Sequence, residues 1–294
     1  MSFIKTNLTP DQKSELMAQA FASDSGMEAL AQSMVEPIRN SLEYQAVGRK
    51  LLLVDELPQG VLPRYEKDVT AEAYQISRRG AVVEKLVEAE EVLVQTFPIA
   101  TNPKVLLTEI AARRFYVVDR AQIKAKEAIQ KQEDSLILNT LIAAAVGRGT
   151  QVVEDFEGDL SLEALNDAFV RIEQHDLVTA AIVCHPFEYG DIRTFGKEYY
   201  DEATTRVILT TGLYGHLWTA NIHVTSRMTP GNVLCVAVPE TVGVFPIRQN
   251  ITVLPCDEPQ KLMLGWVIFE EIGIAVLNDY AVSLIQIIEG DASA

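Results

Sequence analysis

The sequence predicts an α+β protein with an extended, charged hairpin arm. Three observations predict it. The helical and extended segments do not alternate as βαβ units would, which argues against a doubly wound parallel sheet. One run, 119–146, keeps helical character over about 27 residues and sits apart from the strands. After residue 176 the chain breaks into short β-branched strands punctuated by proline and glycine.

The totals bound what such a fold does. At 294 residues the chain suits one large domain or two ordinary ones. Hydrophobic residues make up 48% of it, enough for a sizeable core, so global disorder is excluded. The formal charge of −16 opposes non-specific binding to nucleic acid or to an anionic membrane, since both need a basic surface. Arg78/Arg79 and Arg113/Arg114 are the candidates for a local basic patch, and solvated surface is their ordinary role. No segment approaches the ~20 apolar residues of a membrane span, and MSFIKTNLTPDQ lacks the pattern of a signal peptide. Cys184, Cys235 and Cys256 are odd in number, far apart and flanked by apolar residues, as expected of reduced thiols in a cytosolic fold.

Residues 1–54 read as an arm. Thr9-Pro10-Asp11 starts a helix that Ser23-Asp24-Ser25-Gly26 breaks, and a second weak helix from Met27 contains Pro37. Helices with so few large apolar residues need another surface to lie on.

Residues 55–100 form the predicted hairpin, centred on AYQISRRGAVVEKL with Arg78-Arg79-Gly80 at its turn. Leu57-Pro58-Gln59-Gly60 and Phe97-Pro98 bound it. Within it EKLVEAEEVL also fits a helical spacing, so local pattern leaves helix and strand open over 83–94. As a hairpin, each arm of ~18 residues reaches roughly 60 Å, whereas a compact globule of this length has a radius of gyration of about 19 Å. Such a ribbon leaves its own globule, and because isolated ribbons are marginal in water it requires a partner.

The helix 119–146 has Asp119 as its expected N-cap and Gly147 as its C′ residue. Its first half is charged on most sides, with Glu127 and Lys131 spaced i,i+4; its second half, SLILNTLIAAA, is apolar. The following GRGTQVVEDFEGD reads as a polar loop, after which Ser161 caps the helix LEALNDAFVRIEQ. TAAIVCHP reads as a buried strand ended by proline. GLYGHLW, NIHVTSR, TPGNVLCVAVP and VGVFPI read as short strands, with Pro230-Gly231 at a hairpin tip. Two longer strands, LMLGWVIFEEIGIAVLN and AVSLIQIIEG, complete the chain.

Chemistry is sparse, and no catalytic residue, metal site or cofactor is expected. Cys184 and His185 are strand neighbours and face opposite ways, so they form no dyad. His216 and His223 lack a third ligand. Glu154, Asp155, Glu157 and Asp159 lack the ligand spacing of a calcium loop. Gly147-Arg148-Gly149 follows a helix instead of opening one, so it is no phosphate loop. Glu270 and Glu271 face opposite sides of a strand and cannot share a proton. A cytosolic enzyme using Cys184 or His216/His223 is the rival of another class.

The order of parts resembles the major capsid proteins of tailed bacteriophages, with the Hong Kong 97 fold. The most specific stretches are GLYGHLWTANIHVTSRMTPGNVLCV and GWVIFEEIGIAV. The resemblance implies an N-terminal arm (1–54), an E-loop (55–100), a P-domain with its spine helix (101–150), an A-domain (151–245) and P-domain return strands (246–294). It implies an E-loop that lies across the neighbouring subunit, with Arg78, Arg79, Glu84, Lys85 and Glu88 as candidate inter-subunit contacts. Some members join an E-loop lysine to a P-domain asparagine beside a glutamate. Glu270 or Glu271 resembles that glutamate, but Met263 stands where the asparagine would fall, which implies a non-covalent shell. The implied function is a virion head protein, assembled in the host cytoplasm as pentamers and hexamers into an icosahedral shell around double-stranded DNA, without sequence-specific binding. Its implied partners are other copies of itself, a portal and, where used, a decoration protein. Scaffolding is expected as a separate protein, because the sequence has no room for a scaffolding segment before the arm. An encapsulin-type nanocompartment shares the fold and is the alternative.

Overall fold

The computed structural model describes residues 47–58, 60–67, 91–108, 116–156, 158–195 and 215–288. In chain order its strands begin with β1 (Leu53–Glu56), β2 (Arg64–Glu66), β3 (Glu91–Leu93), β4 (Thr96–Thr101) and β5 (Lys104–Leu106). Helix α1 (Tyr116–Arg148) follows, then β6 (Val152–Asp155), α2 (Leu162–Glu173), β7 (Thr179–Cys184) and α3 (Pro186–Thr194). The chain continues through β8 (His216–Leu217), β9 (Ala220–Val224), β10 (Asn232–Ala237) and the one-turn α4 (Pro239–Val242). It closes with β11 (Gly243–Pro255), β12 (Met263–Gly273), β13 (Ala275–Val276) and β14 (Val282–Ile287). This is the α+β class that the sequence predicts.

Two units divide these elements: Phe97–Asp134 with Ile247–Ile272, and Val47–Thr96 with Ser135–Pro246 and Gly273–Ala294. In the first, β11 and β12 form a long antiparallel pair whose register shifts twice between Ile247 and Thr252. Along β12 the burial alternates. Trp266, Ile268, Glu270 and Ile272 are buried, whereas Val267, Phe269 and Glu271 are half-exposed, so one face of the ribbon is core. β5 pairs antiparallel with the start of β12, Leu106 facing Met263. Gly265 is required there: a Cβ would stand 2.8 Å from the Cys256 carbonyl oxygen and 2.9 Å from Lys104 Cγ.

The second unit is built on a six-stranded sheet ordered β6-β14-β10-β7-β9-β8. Its middle is buried on both faces. Val233, Leu234, Cys235 and Val236 of β10 are fully inaccessible, as are Ile182, Val183 and Cys184 of β7. Continuous apolar runs of this kind, without alternation, are what a central strand requires. Each such side chain contributes ~1.5–3 kcal/mol by leaving water. Helix α2 covers the sheet, touching β14, β6, β10 and β7. Its buried residues Ala164, Leu165, Ala168, Phe169 and Ile172 recur at the i,i+3/i+4 spacing of one helix face, and Ser161 caps it by accepting from Ala164 N at 3.1 Å.

Four sequence expectations are corrected here. First, the long helix runs from Tyr116 to Arg148, beyond 119–146 at both ends, so Asp119 is inside it. Gly147 stays helical, and Gly149 is the residue that leaves the helix: its φ is +66°, and its N–H reaches the Ala145 and Val146 carbonyls at 3.2 and 3.0 Å. Second, the polar loop 147–159 contains β6, which pairs in parallel with β14 because Val152-Val153 supplies β-branched surface. Third, Pro230-Gly231 is not a hairpin tip. β9 and β10 lie on opposite sides of β7, one parallel and one antiparallel to it, so residues 225–231 cross the end of β7. Fourth, β14 does not join the return strands but enters the second sheet, where Val282, Ser283, Leu284 and Ile285 are buried.

The hairpin over 55–100 is observed at its base, where β2 and β3 pair antiparallel, Arg64 facing Leu93 and Glu66 facing Glu91. Glu91–Leu93 is therefore strand. Its outer part and the arm over residues 1–46 lie outside the described residues. The folded body begins before residue 54, since Leu51 and Leu52 are buried.

Candidate functional site

Three features of the surface are candidates for contact with other molecules. The first is an acidic cleft at the end of the β7 sheet. His185 follows β7 and caps α3, its Nδ1 accepting from Phe187 N at 3.3 Å, while Pro186 presets the first helical turn. That start places Glu188 in the first turn and Asp191 one turn on, the same side of the helix. Glu188 is only 4% exposed, and its Oε1 accepts from Gly231 N at 2.6 Å. Its Oε2 is buried without a hydrogen-bond partner, 3.9 Å from His185 Nδ1. Asp191 Oδ2 accepts from Leu160 N at 3.2 Å. With Gly158, Asp159, Pro230, Gly231 and Ile287 they line a cleft of 520 Å³, and Phe187, 72% exposed, stands at its edge. Burial, then the Asp159 and Glu188 charges, push the Asp191 carboxyl above its ordinary range, against the backbone bond from Leu160. Among the described residues no three His, Cys, Asp or Glu side chains converge as a metal site.

The second feature is the base of the hairpin. Tyr65 of β2 donates its hydroxyl to Asp55 Oδ2 of β1 at 2.7 Å, fixing β2 to the body of the second unit. Burial, then the Asp55 carboxylate beside it, push the phenol up. Arg64 and Glu91 pair at 3.8 Å across β2–β3, an exposed contact worth ~0–1 kcal/mol. Leu62 and Leu93 are exposed nearby.

The third is the turn between β11 and β12. Glu258 is held by Lys104 and, at 2.8 Å, by Lys261. These two ammonium groups bring its carboxyl down to about 2. Leu107 N donates to Leu262 O at 2.9 Å, which sets exposed Leu106, Leu107 and Leu262 beside this ionic cluster.

Compared with known proteins, the chain matches no family model and no curated sequence. Solved structures do match. A Microbacterium phage Oxtober96 structure superposes with a TM-score of 0.61 at 13% identity, over 83% of this chain and 91% of that one. The mature capsid of bacteriophage PhiM1 gives 0.58 at 9% identity, over 83% and 87%. A virus-like particle from Pyrococcus furiosus gives 0.58 at 18% identity, over 87% and 98%. The chain has a phage-capsid fold. The likeness in shape covers more than four-fifths of the chain and persists where sequence likeness is nearly gone.

Within this capsid fold the residues singled out from sequence fall in several places. Arg78, Arg79, Glu84, Lys85 and Glu88 lie outside the described residues, as do Arg113 and Arg114. Glu127 and Lys131 pair at 3.9 Å, but Lys124 is closer to Glu127, at 2.8 Å. Glu270 is buried, and Glu271 on the opposite face pairs with Arg248 at 3.3 Å. Pro230 and Gly231 line the acidic cleft. Asp155 of the acidic loop turns inward and accepts from Ser161 N at 2.8 Å, so it serves the start of α2. Cys184 is buried in β7, and burial pushes its thiol up to about 12, which suits core and not a nucleophile. His216 faces Asn221 in the β8–β9 pair, and His223 faces Val183 in the β7–β9 pair; no described group joins them into a metal site.

Sequence reasoning missed Glu188, Asp191 and Phe187. Their signal is HPFEYGD: proline at the first helical position and an acidic residue in the first turn announce a helix after the strand. That pattern makes the helix legible but not the crossing loop that Glu188 meets.

Proposed function

We propose that this protein is a major capsid protein: copies of it form pentamers and hexamers that close into an icosahedral shell around double-stranded DNA. The observation that supports this most is the capsid fold shared over more than four-fifths of the chain. The antiparallel base formed by β2 and β3 agrees with the hairpin expected over 55–100, and a ribbon of that expected length needs a neighbouring surface. The charge of −16 suits a wall that must not grip the packaged genome. The E-loop and N-terminal arm act as the clamps between subunits, with Arg78, Arg79, Glu84, Lys85 and Glu88 in the contact. A portal and a scaffolding protein complete assembly in the host cytoplasm.

The test is to express the full chain and view the purified protein by negative-stain electron microscopy, with nuclease treatment followed by analysis of contents. Closed particles, and protected DNA in particles from the producing cell, support the reading. Closed particles filled with protein cargo instead make it an encapsulin-type nanocompartment. A small oligomer that never forms particles, with activity abolished by Cys184→Ser or by His216→Ala, returns it to the enzyme class.

A further inference from the structure

Among the described residues no lysine or arginine pairs with the carboxylates of the acidic cleft. Asp159, Glu188 and Asp191 line it, and Oε2 of the nearly buried Glu188 has no hydrogen-bond partner. Leaving a buried carboxylate oxygen unpaired costs free energy, which a donor entering the cleft recovers. The other titratable groups close to Glu188 do not supply that donor. His185 Nδ1 is occupied as the acceptor for Phe187 N, and Cys184 is buried in the strand. Arg193, on the same helix, lies over the Tyr189 ring at 4.4 Å.

The cleft also has room for a large cationic group. A space of 520 Å³ is far larger than a bare metal ion needs, and no metal-ligating trio converges there among the described residues. Three carboxylates with a strongly exposed phenyl ring at the edge suit a planar guanidinium, which binds carboxylate through paired N–H groups and stacks on aromatic faces. Pro230 and Ile287 offer apolar surface for its alkyl stem.

A matching cation is present on the same surface loop. Arg227 is exposed in the connection that crosses the end of β7. Met228, 2% exposed, anchors this loop, and Arg227 N donates to Thr225 Oγ1 at 3.2 Å. The other arginines with described side chains are engaged within the chain. Arg49, Arg148 and Arg193 lie over rings, Arg64 and Arg248 pair with carboxylates, and Arg171 donates to carbonyls. Arg227 alone among them has no such partner.

We propose that the acidic cleft of one subunit receives the Arg227 guanidinium of a neighbouring copy of this chain. Each copy carries both the cleft and Arg227, so every copy can receive this contact and give it. This rests on the shell-forming reading above, and it names one ionic contact within it.

The test measures the assembled fraction of full-length protein by sedimentation, at the concentration where wild type is half assembled. R227E and D159K each lower that fraction about tenfold or more, as loss of a desolvated charge pair should. The double variant R227E/D159K restores it. Asp159 and Arg227 are exposed, and circular dichroism checks that each variant is folded; D159N keeps the volume and gives a smaller loss should D159K misfold. E188Q, which removes the buried charge but keeps the side-chain shape, lowers the fraction and weakens its dependence on salt. Unchanged assembly of R227E, or a double variant no better than either single one, overturns the contact while the shell reading stands. Wild type that never assembles overturns both.

Discussion

Glu188 holds the amide of Gly231, 43 residues further along the chain, at 2.6 Å. The bond ties the first turn of α3 to the loop that crosses β7, and its acceptor is a buried carboxylate. Hydrogen bonds to charged groups contribute ~1.5–3 kcal/mol. Glu188→Ala should lower the stability of the unassembled subunit by about that amount in urea unfolding. Glu188→Gln keeps an oxygen acceptor and should lose clearly less. Equal losses in the two variants would show that the bond contributes through shape alone.

The Lys104–Glu258–Lys261 cluster makes stability depend on acid. Glu258 titrates at about 2 in the folded protein, below its unfolded value, because both lysines favour the charged form. A depressed carboxyl stabilises the fold above its unfolded value and loses that contribution as pH falls toward its folded value. The melting-temperature difference between wild type and Glu258→Gln should therefore be constant above pH ~4.5 and shrink between there and about 2. A difference independent of pH over that window would remove the cluster from the account.

Two glycines should respond to alanine with opposite signs. At Gly243 a Cβ would stand against the Ala275 carbonyl oxygen and 2.9 Å from Val276 Cα, where β11 and β13 meet. Gly243→Ala should destabilise by ~1–3 kcal/mol through overpacking. Gly147 sits in the last turn of α1 with open space around it, so Gly147→Ala should stabilise by ~0.4–1 kcal/mol. Chemical denaturation of the two variants side by side reads both.

The thiols should separate by reactivity. Cys184 and Cys235 are buried, and burial raises both, whereas Cys256 is half-exposed. A disulfide reagent at pH 8 should label one thiol rapidly in the native, unassembled subunit and all three once it is unfolded. Rapid loss of all three in the native state would contradict the buried β7–β10 core.

Shells of this protein, boiled and reduced, should run as a single monomer band on a denaturing gel. The resemblance to cross-linking capsid proteins leads one to expect an asparagine acceptor at Met263, which faces Leu106 in the β5–β12 pair. A ladder of covalent multimers would identify a different acceptor.

Much of this architecture was legible locally. Ser161 and the apolar spacing of Leu165 and Phe169 marked α2, and the unbroken run at Ile182–Cys184 marked a central strand. What remained hidden depends on pairing between distant residues. Pro230-Gly231 has the composition of a hairpin tip, yet β7 stands between the strands it joins, and nothing within those few residues encodes the intruder. The cleft was hidden for the same reason. Its carboxylates come from a loop and a helix, and the amide that binds Glu188 from a third segment. Gly147 misled because glycine is tolerated in the last turn of a helix, and only the +66° φ of Gly149 shows where the backbone turns.

β14 lies between β6 and β10, with Ser283 bonded to Gln151 across 132 residues. While the chain is being synthesised, β6 and β10 therefore emerge with an empty lane between them. The sheet cannot knit until residue 287 has cleared the ribosome, so a nascent chain exposes unpaired strand edges throughout its growth. The subunit is thus withheld from its final shape, and from premature association through it, until β14 has been made.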